Sequence, residues 1–102
     1  MPDQPVVCKL SAPELQQRRE QLFHAIRSRI QEIRPLEAGY EMRFAADDAT
    51  LEQLLTLIQL ERSCCPFLRF RLTVEPDSGP VWLELTGPPG SQELLAAELG
   101  LR

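Results

Sequence analysis

Two runs of strict alternation constrain this chain more than anything else in it. In FLRFRLTV, Leu68, Phe70, Leu72 and Val74 alternate with Arg69, Arg71 and Thr73; in VWLELT, Val81, Leu83 and Leu85 alternate with Trp82, Glu84 and Thr86. A period of two is that of a half-buried strand. The six residues between the runs, EPDSGP, are of the kinds that turns require. The stretch therefore predicts an antiparallel hairpin with one apolar face, and such a face has to be covered.

Helical stretches able to cover it lie on the N-terminal side. Ser11 caps, Pro13 suits the first turn and Glu14 completes a capping box, so a first helix is expected from about Pro13 to about Arg29. Leu15, Leu22, Phe23, Ile26 and Ile30 form its apolar stripe, with Arg18, Arg19, Arg27 and Arg29 on or beside the wet face. A second helix opens at DDATLEQ, capped by Asp48 or Thr50, with Leu51, Leu54, Leu55, Ile58 and Glu61/Arg62 along one face. Pro66 disfavours the α conformation at Cys65, so this helix should stop near Ser63 or Cys64. Between the helices, YEMRFA alternates as a strand, and QEIRPLE is its expected partner, held to an edge or bulge by Pro35. VVCKL reads as a short first strand, and SQELLAAEL as a last helix behind the breaker GPPG, with Ser91 as its cap. The expected order is β-α-β-β-α-β-β-α: one α+β domain, an antiparallel sheet of four or five strands with helices on one face.

A chain of 102 residues is a single domain, with a stability of only ~5–10 kcal/mol. Net charge is −4, divided as +1 through residue 46 and −5 beyond it, so there is no basic footprint for a nucleic acid. No apolar run approaches the ~20 residues of a membrane span, and MPDQPVVCKL has no basic start or long apolar stretch of a secretory signal. The expected compartment is the cytoplasm, where thiols are kept reduced.

That compartment gives weight to ERSCCPFLRF, which holds two of the three cysteines side by side before a proline. Consecutive helical side chains diverge by ~100°, but an extended Cys65 frees the pair from helical directions. Cys8 lies just before the first helix and Cys64 and Cys65 at the end of the second, so antiparallel helices would bring all three together. Thiolates select zinc, copper(I) or another thiophilic ion. Glu61, one turn before Cys65, is the candidate fourth ligand, since His24 is remote from Cys8. Against this stand core packing, the commonest fate of a buried cysteine, and a vicinal disulfide or redox switch. Nothing beside the thiols acts as a general base, which argues against an enzyme.

CxLS near the start, LERSCCPFLRFRL in the middle and GPVWLELTGPPG near the end resemble a group of small bacterial proteins carrying E-R-x-C-C-P-F-x-x-F followed by G-P-x-x-L-x-[IL]-x-G-P. The resemblance covers most of the chain, from about Cys8 to about Leu95. Proteins of this group sometimes accompany heavy-metal or arsenic resistance functions. The resemblance implies Cys8, Cys64 and Cys65 as ligands of a metal or metalloid, with Glu61 and Arg62 as neighbouring motif positions.

The remaining motifs are weaker. GPPGSQE leads into a helix N-terminus but lacks the lysine and spacing of a P-loop. Asp47 and Asp48 read as capping residues, and His24 as a solvated helix residue. Trp82 falls on the polar sheet face with Arg69 and Arg71 close across the hairpin. It is either a cation–π pair or the centre of a homodimer surface, and the latter makes the alternative function an interaction module whose cysteines are packing.

Overall fold

The computed structural model describes residues 13–100. Four strands form one antiparallel sheet: β1 (Ile30–Leu36), β2 (Gly39–Phe44), β3 (Arg69–Val74) and β4 (Val81–Thr86), in the spatial order β1-β2-β4-β3. Three helices complete the fold: α1 (Pro13–Arg27), α2 (Asp48–Cys64) and α3 (Ser91–Glu98). This is the expected α+β class. The expected strand at Val6–Leu10 and the caps before Pro13 lie outside the described residues.

The predicted hairpin is β3–β4, in register from Arg69 opposite Thr86 to Val74 opposite Val81. Val81, Leu83 and Leu85 are wholly buried. On their other side they meet Phe44, Met42 and Tyr40 of β2. Pro35 sits on β1, an edge strand, where its missing N–H costs no ladder bond. Ile30 and Ile33 are three apart, so strict alternation would send them to opposite faces. A register shift between Ile30 and Glu32 absorbs the odd residue and turns both toward the core. Gly39 is required where β2 crosses β4: a Cβ there would stand 1.8 Å from the Leu85 carbonyl oxygen.

Ile30 therefore belongs to β1, and α1 stops at Arg27, two residues short of the expected end. Leu15, expected in the α1 stripe, is exposed; Phe23 and Ile26 are its buried residues. Along α2 the buried stripe is Thr50, Leu54, Leu57, Glu61 and Cys64. It is rotated from the expected one, and Leu55 is left 52% exposed. Val74, expected inward, is 55% exposed at the end of edge strand β3.

The α2 cap is Asp47 and not Asp48 or Thr50: Thr50 donates its N–H (2.8 Å) and hydroxyl (3.0 Å) to the two Asp47 oxygens. Arg29 donates to the Thr50 hydroxyl at 2.9 Å, joining the end of α1 to the start of α2. The bonds from Thr50 hold the Asp47 carboxyl below its ordinary value of 3.8. A depressed carboxyl stabilises the fold above its unfolded pKa, and that contribution is lost as pH falls through the folded value. Wild type should accordingly melt above Asp47→Asn at pH 7, and the gap in Tm should close as pH falls below 3.8 and through the depressed folded value, as followed by circular dichroism.

α3 starts after Gly90, whose φ of 99° is the left-handed region a glycine tolerates. Ser91, the expected cap, is the first helical residue, and its hydroxyl is buried against Gly87. Gln92 instead ties the helix down, donating to the Leu36 carbonyl at 2.7 Å. No described helix is long and apolar enough to cross a membrane.

Candidate metal centre

The site begins with the end of α2. Pro66 prevents Cys65 from continuing the helix, and Cys65 takes φ −125°, ψ 74°. Its N–H still reaches the Glu61 carbonyl at 2.6 Å, and its own carbonyl accepts from Leu68 N–H at 3.1 Å. The result is a tight turn over Cys65–Leu68 with the proline in its second position, where the ring's fixed φ is favourable. Phe67 and Leu68 then drop into the core ahead of β3.

This turn brings the two sulfurs together. Cys64 follows Leu57 and Glu61 down the buried stripe, and Cys65 leaves the helix in a different direction. Their Sγ atoms are 3.6 Å apart, and Cys65 Sγ is 3.8 Å from Glu61 Oε1. One ligand atom from each of Glu61, Cys64 and Cys65 can be chosen so that no two are more than 4.8 Å apart. All three residues are wholly buried. The fold thus contains a Glu–Cys–Cys group close enough to hold a metal ion, and the group lies in the core.

Cys65 is disulfide-bonded. Cys64 is not its partner, since 3.6 Å is far longer than the ~2.05 Å of a sulfur–sulfur bond; the expected ligand Cys8 lies outside the described residues. The bond departs from the expectation of reduced thiols. Reduction has to precede any use of Cys65 as a ligand.

A residue the sequence reading placed on or beside the wet face completes the centre. Arg19 turns inward from α1 and grips Glu61 with two bonds, Nε to Oε2 at 2.5 Å and Nη2 to Oε1 at 3.0 Å. The same guanidinium contacts the Glu98 carboxylate of α3, and it stacks 5.0 Å from the Phe23 ring centre. Arg19 thus joins all three helices. Its signal was present: Arg19, Phe23 and Ile26 are spaced four and three apart, one face of a helix. Glu98 had no comparable marker.

The charges are strongly interdependent. Burial works against the Arg19 charge, but the bonds to Glu61 and Glu98 outweigh it and raise its pKa. For Glu61 burial dominates and raises the carboxyl, with Arg19 pulling it part of the way back. Arg62, adjacent in the motif, is exposed and borders a cleft of about 490 Å³ with Ile58, Pro66, Leu68 and Phe70. His24 is exposed, as expected.

Trp82 is flanked by arginines, but not by the expected pair. Arg34 and Arg43, from β1 and β2, stand 4.9 and 5.9 Å from its ring centre. Thr73, and not Arg69 or Arg71, lies opposite it on β3, and Arg71 instead approaches Glu84 at 3.7 Å. The spatial order of the sheet places β4 between β2 and β3, so the tryptophan's neighbours are set by pairings the hairpin alone does not show.

Compared with known protein families, curated proteins and solved structures, the chain matches none.

Proposed function

We propose that this is a small, non-enzymatic cytoplasmic protein that binds a thiophilic metal or metalloid ion through Cys64 and Cys65, with Glu61 as an oxygen ligand and Cys8 as a further thiolate. The observation that carries this reading is the convergence of Glu61, Cys64 and Cys65 within 4.8 Å at the end of α2. Two sulfurs and one carboxylate make a donor set that favours soft and borderline ions over magnesium or calcium. Antiparallel packing of α1 and α2 supports the place of Cys8: Arg29 meets Thr50 at one end of the helix pair and Arg19 meets Glu61 toward the other, so the start of α1 lies at the cysteine end of α2. A dithiol supplies the two electrons and two protons that open the Cys65 disulfide into two thiols.

Reduced protein, stripped of metal and kept in a non-thiol phosphine, should take up one zinc, copper(I), mercury(II) or arsenite ion per chain, followed by thiolate–metal absorbance. For the three metal cations, protons released on binding count the thiols, two for the Cys64–Cys65 pair and three if Cys8 joins; arsenite, as As(OH)3, gives up one water per thiol instead, and its thiols are counted by loss of reaction with a thiol reagent. No uptake of any of the four ions would leave the cysteines as packing.

The open sheet face supports the alternative, an interaction module paired with a second copy of itself, less well. Arg34 bonds Glu32, Arg43 lies 3.6 Å from Glu32, and Trp82 is stacked beneath both arginines. The charges around Trp82 are therefore met in large part within the face.

A further inference from the structure

The spacing of the ligand atoms says more about the ion than the donor types do. An ion bonded to two sulfurs at ~2.3 Å sets them ~3.8 Å apart when the angle between them is tetrahedral, and ~4.6 Å apart when they are in line. The Cys64 and Cys65 sulfurs are 3.6 Å apart, one edge of a tetrahedron. A carboxylate oxygen at ~2.0 Å from the same ion would stand ~3.5 Å from each sulfur, and Glu61 Oε1 is 3.8 Å from Cys65 Sγ. Two edges of a four-coordinate face are thus close to their required lengths, and the third, from Cys64 Sγ to the carboxylate, lies within 4.8 Å and closes as Glu61 turns to the ion.

Both oxygens of that carboxylate are engaged by Arg19. The guanidinium also has a second anionic partner, Glu98, and borders a cleft of about 320 Å³ lined by Glu20, Phe23, Arg27 and Ala97. The geometry points to a site for a zinc-sized tetrahedral dication in which Arg19 holds the place of the ion: on binding, Glu61 exchanges Arg19 for the ion and Arg19 stays with Glu98. The inference rests on the ligand reading above and specifies it. It also keeps the buried charge constant, because the incoming dication replaces two thiol protons that leave to water. Arg19 is a positioning residue, not a ligand, and its role is to set a threshold. Ions satisfied by two sulfurs do not need Glu61, while ions that need an oxygen must displace the arginine.

The test compares zinc with silver(I), which two sulfurs satisfy, in reduced wild type, Arg19→Lys and Glu98→Gln, by competition with a chromophoric chelator. Lysine keeps the charge but loses the two-pronged grip, so Arg19→Lys should bind zinc roughly tenfold tighter. Glu98→Gln removes the carboxylate that receives the arginine, so it should bind zinc roughly tenfold more weakly. Silver affinity should follow neither change. Urea midpoints confirm that all three proteins are folded under the assay conditions. Zinc affinities within twofold of one another, or silver shifts equal to the zinc shifts, would overturn the place-holder role. Silver uptake without zinc uptake would sink this inference and leave the thiol site standing, whereas uptake of neither would remove the site itself.

Discussion

Arg19→Ala is expected to cost the fold about 3–5 kcal/mol at pH 7, because it leaves the Glu61 carboxylate buried without its counter-ion. Glu61 is wholly buried, and Arg19 supplies both of its described charged hydrogen bonds. The loss is large against a total of ~5–10 kcal/mol for a domain of this size. The dependence on pH has a definite sign. Burial raises the Glu61 carboxyl even in the wild type, and without Arg19 nothing pulls it back. A carboxyl whose folded pKa lies above its unfolded value is a cost only where it is ionised. The penalty is therefore absent below the ordinary value of 4.5, grows as pH rises through the folded pKa, and is full above it. Urea titrations at pH 4, 5, 6 and 7 should show the gap between variant and wild type widening along the series. The double variant Arg19→Ala with Glu61→Leu should recover most of the loss at pH 7, since an apolar residue needs no counter-ion. A variant as stable as wild type at pH 7 would mean that the pair does not form.

Cys64→Ser and Cys65→Ser should each lower ion affinity by at least a hundredfold under reducing conditions. A serine hydroxyl is a hard, poorly ionised donor in place of a soft thiolate. The two losses should also be alike, because the sulfurs share one ion and neither suffices alone. The effect on stability should differ from the effect on binding. Serine is nearly the size of cysteine but puts a hydroxyl into a wholly buried position, a cost of about 1–3 kcal/mol when no partner is found. Equilibrium dialysis with zinc, beside urea midpoints of the same samples, separates the two. Uptake that survives either substitution, with only the midpoint lowered, would assign the cysteines to packing.

The pairing of the two sulfurs was legible from four letters. CCPF says that a helix stops, that the residue before proline turns extended, and that neighbouring thiols are thereby released from their helical divergence. What could not be read was on which side of α2 the pair would be buried. Leu51, Leu55 and Ile58 are as apolar as Leu54 and Leu57. With leucines around most of the circumference, the hydrophobic period leaves the rotation of the helix undetermined. Packing chose the stripe through Leu54, Leu57, Glu61 and Cys64 and left Leu55 outside. That choice put a carboxylate into the core.

The local chain settled the strands, most of their inward residues and the place where α2 ends, because alternation, turn chemistry and the proline ring act over a few residues; Val74 and Ile30 are the exceptions. Only the folded molecule decided that Arg19 would reach Glu61 from a helix 42 positions away and that Arg34 and Arg43 would cover Trp82. These contacts depend on how α1 lies against α2 and on β4 entering the sheet beside β2. A buried charge finds its partner in space, and distance along the chain carries no record of that.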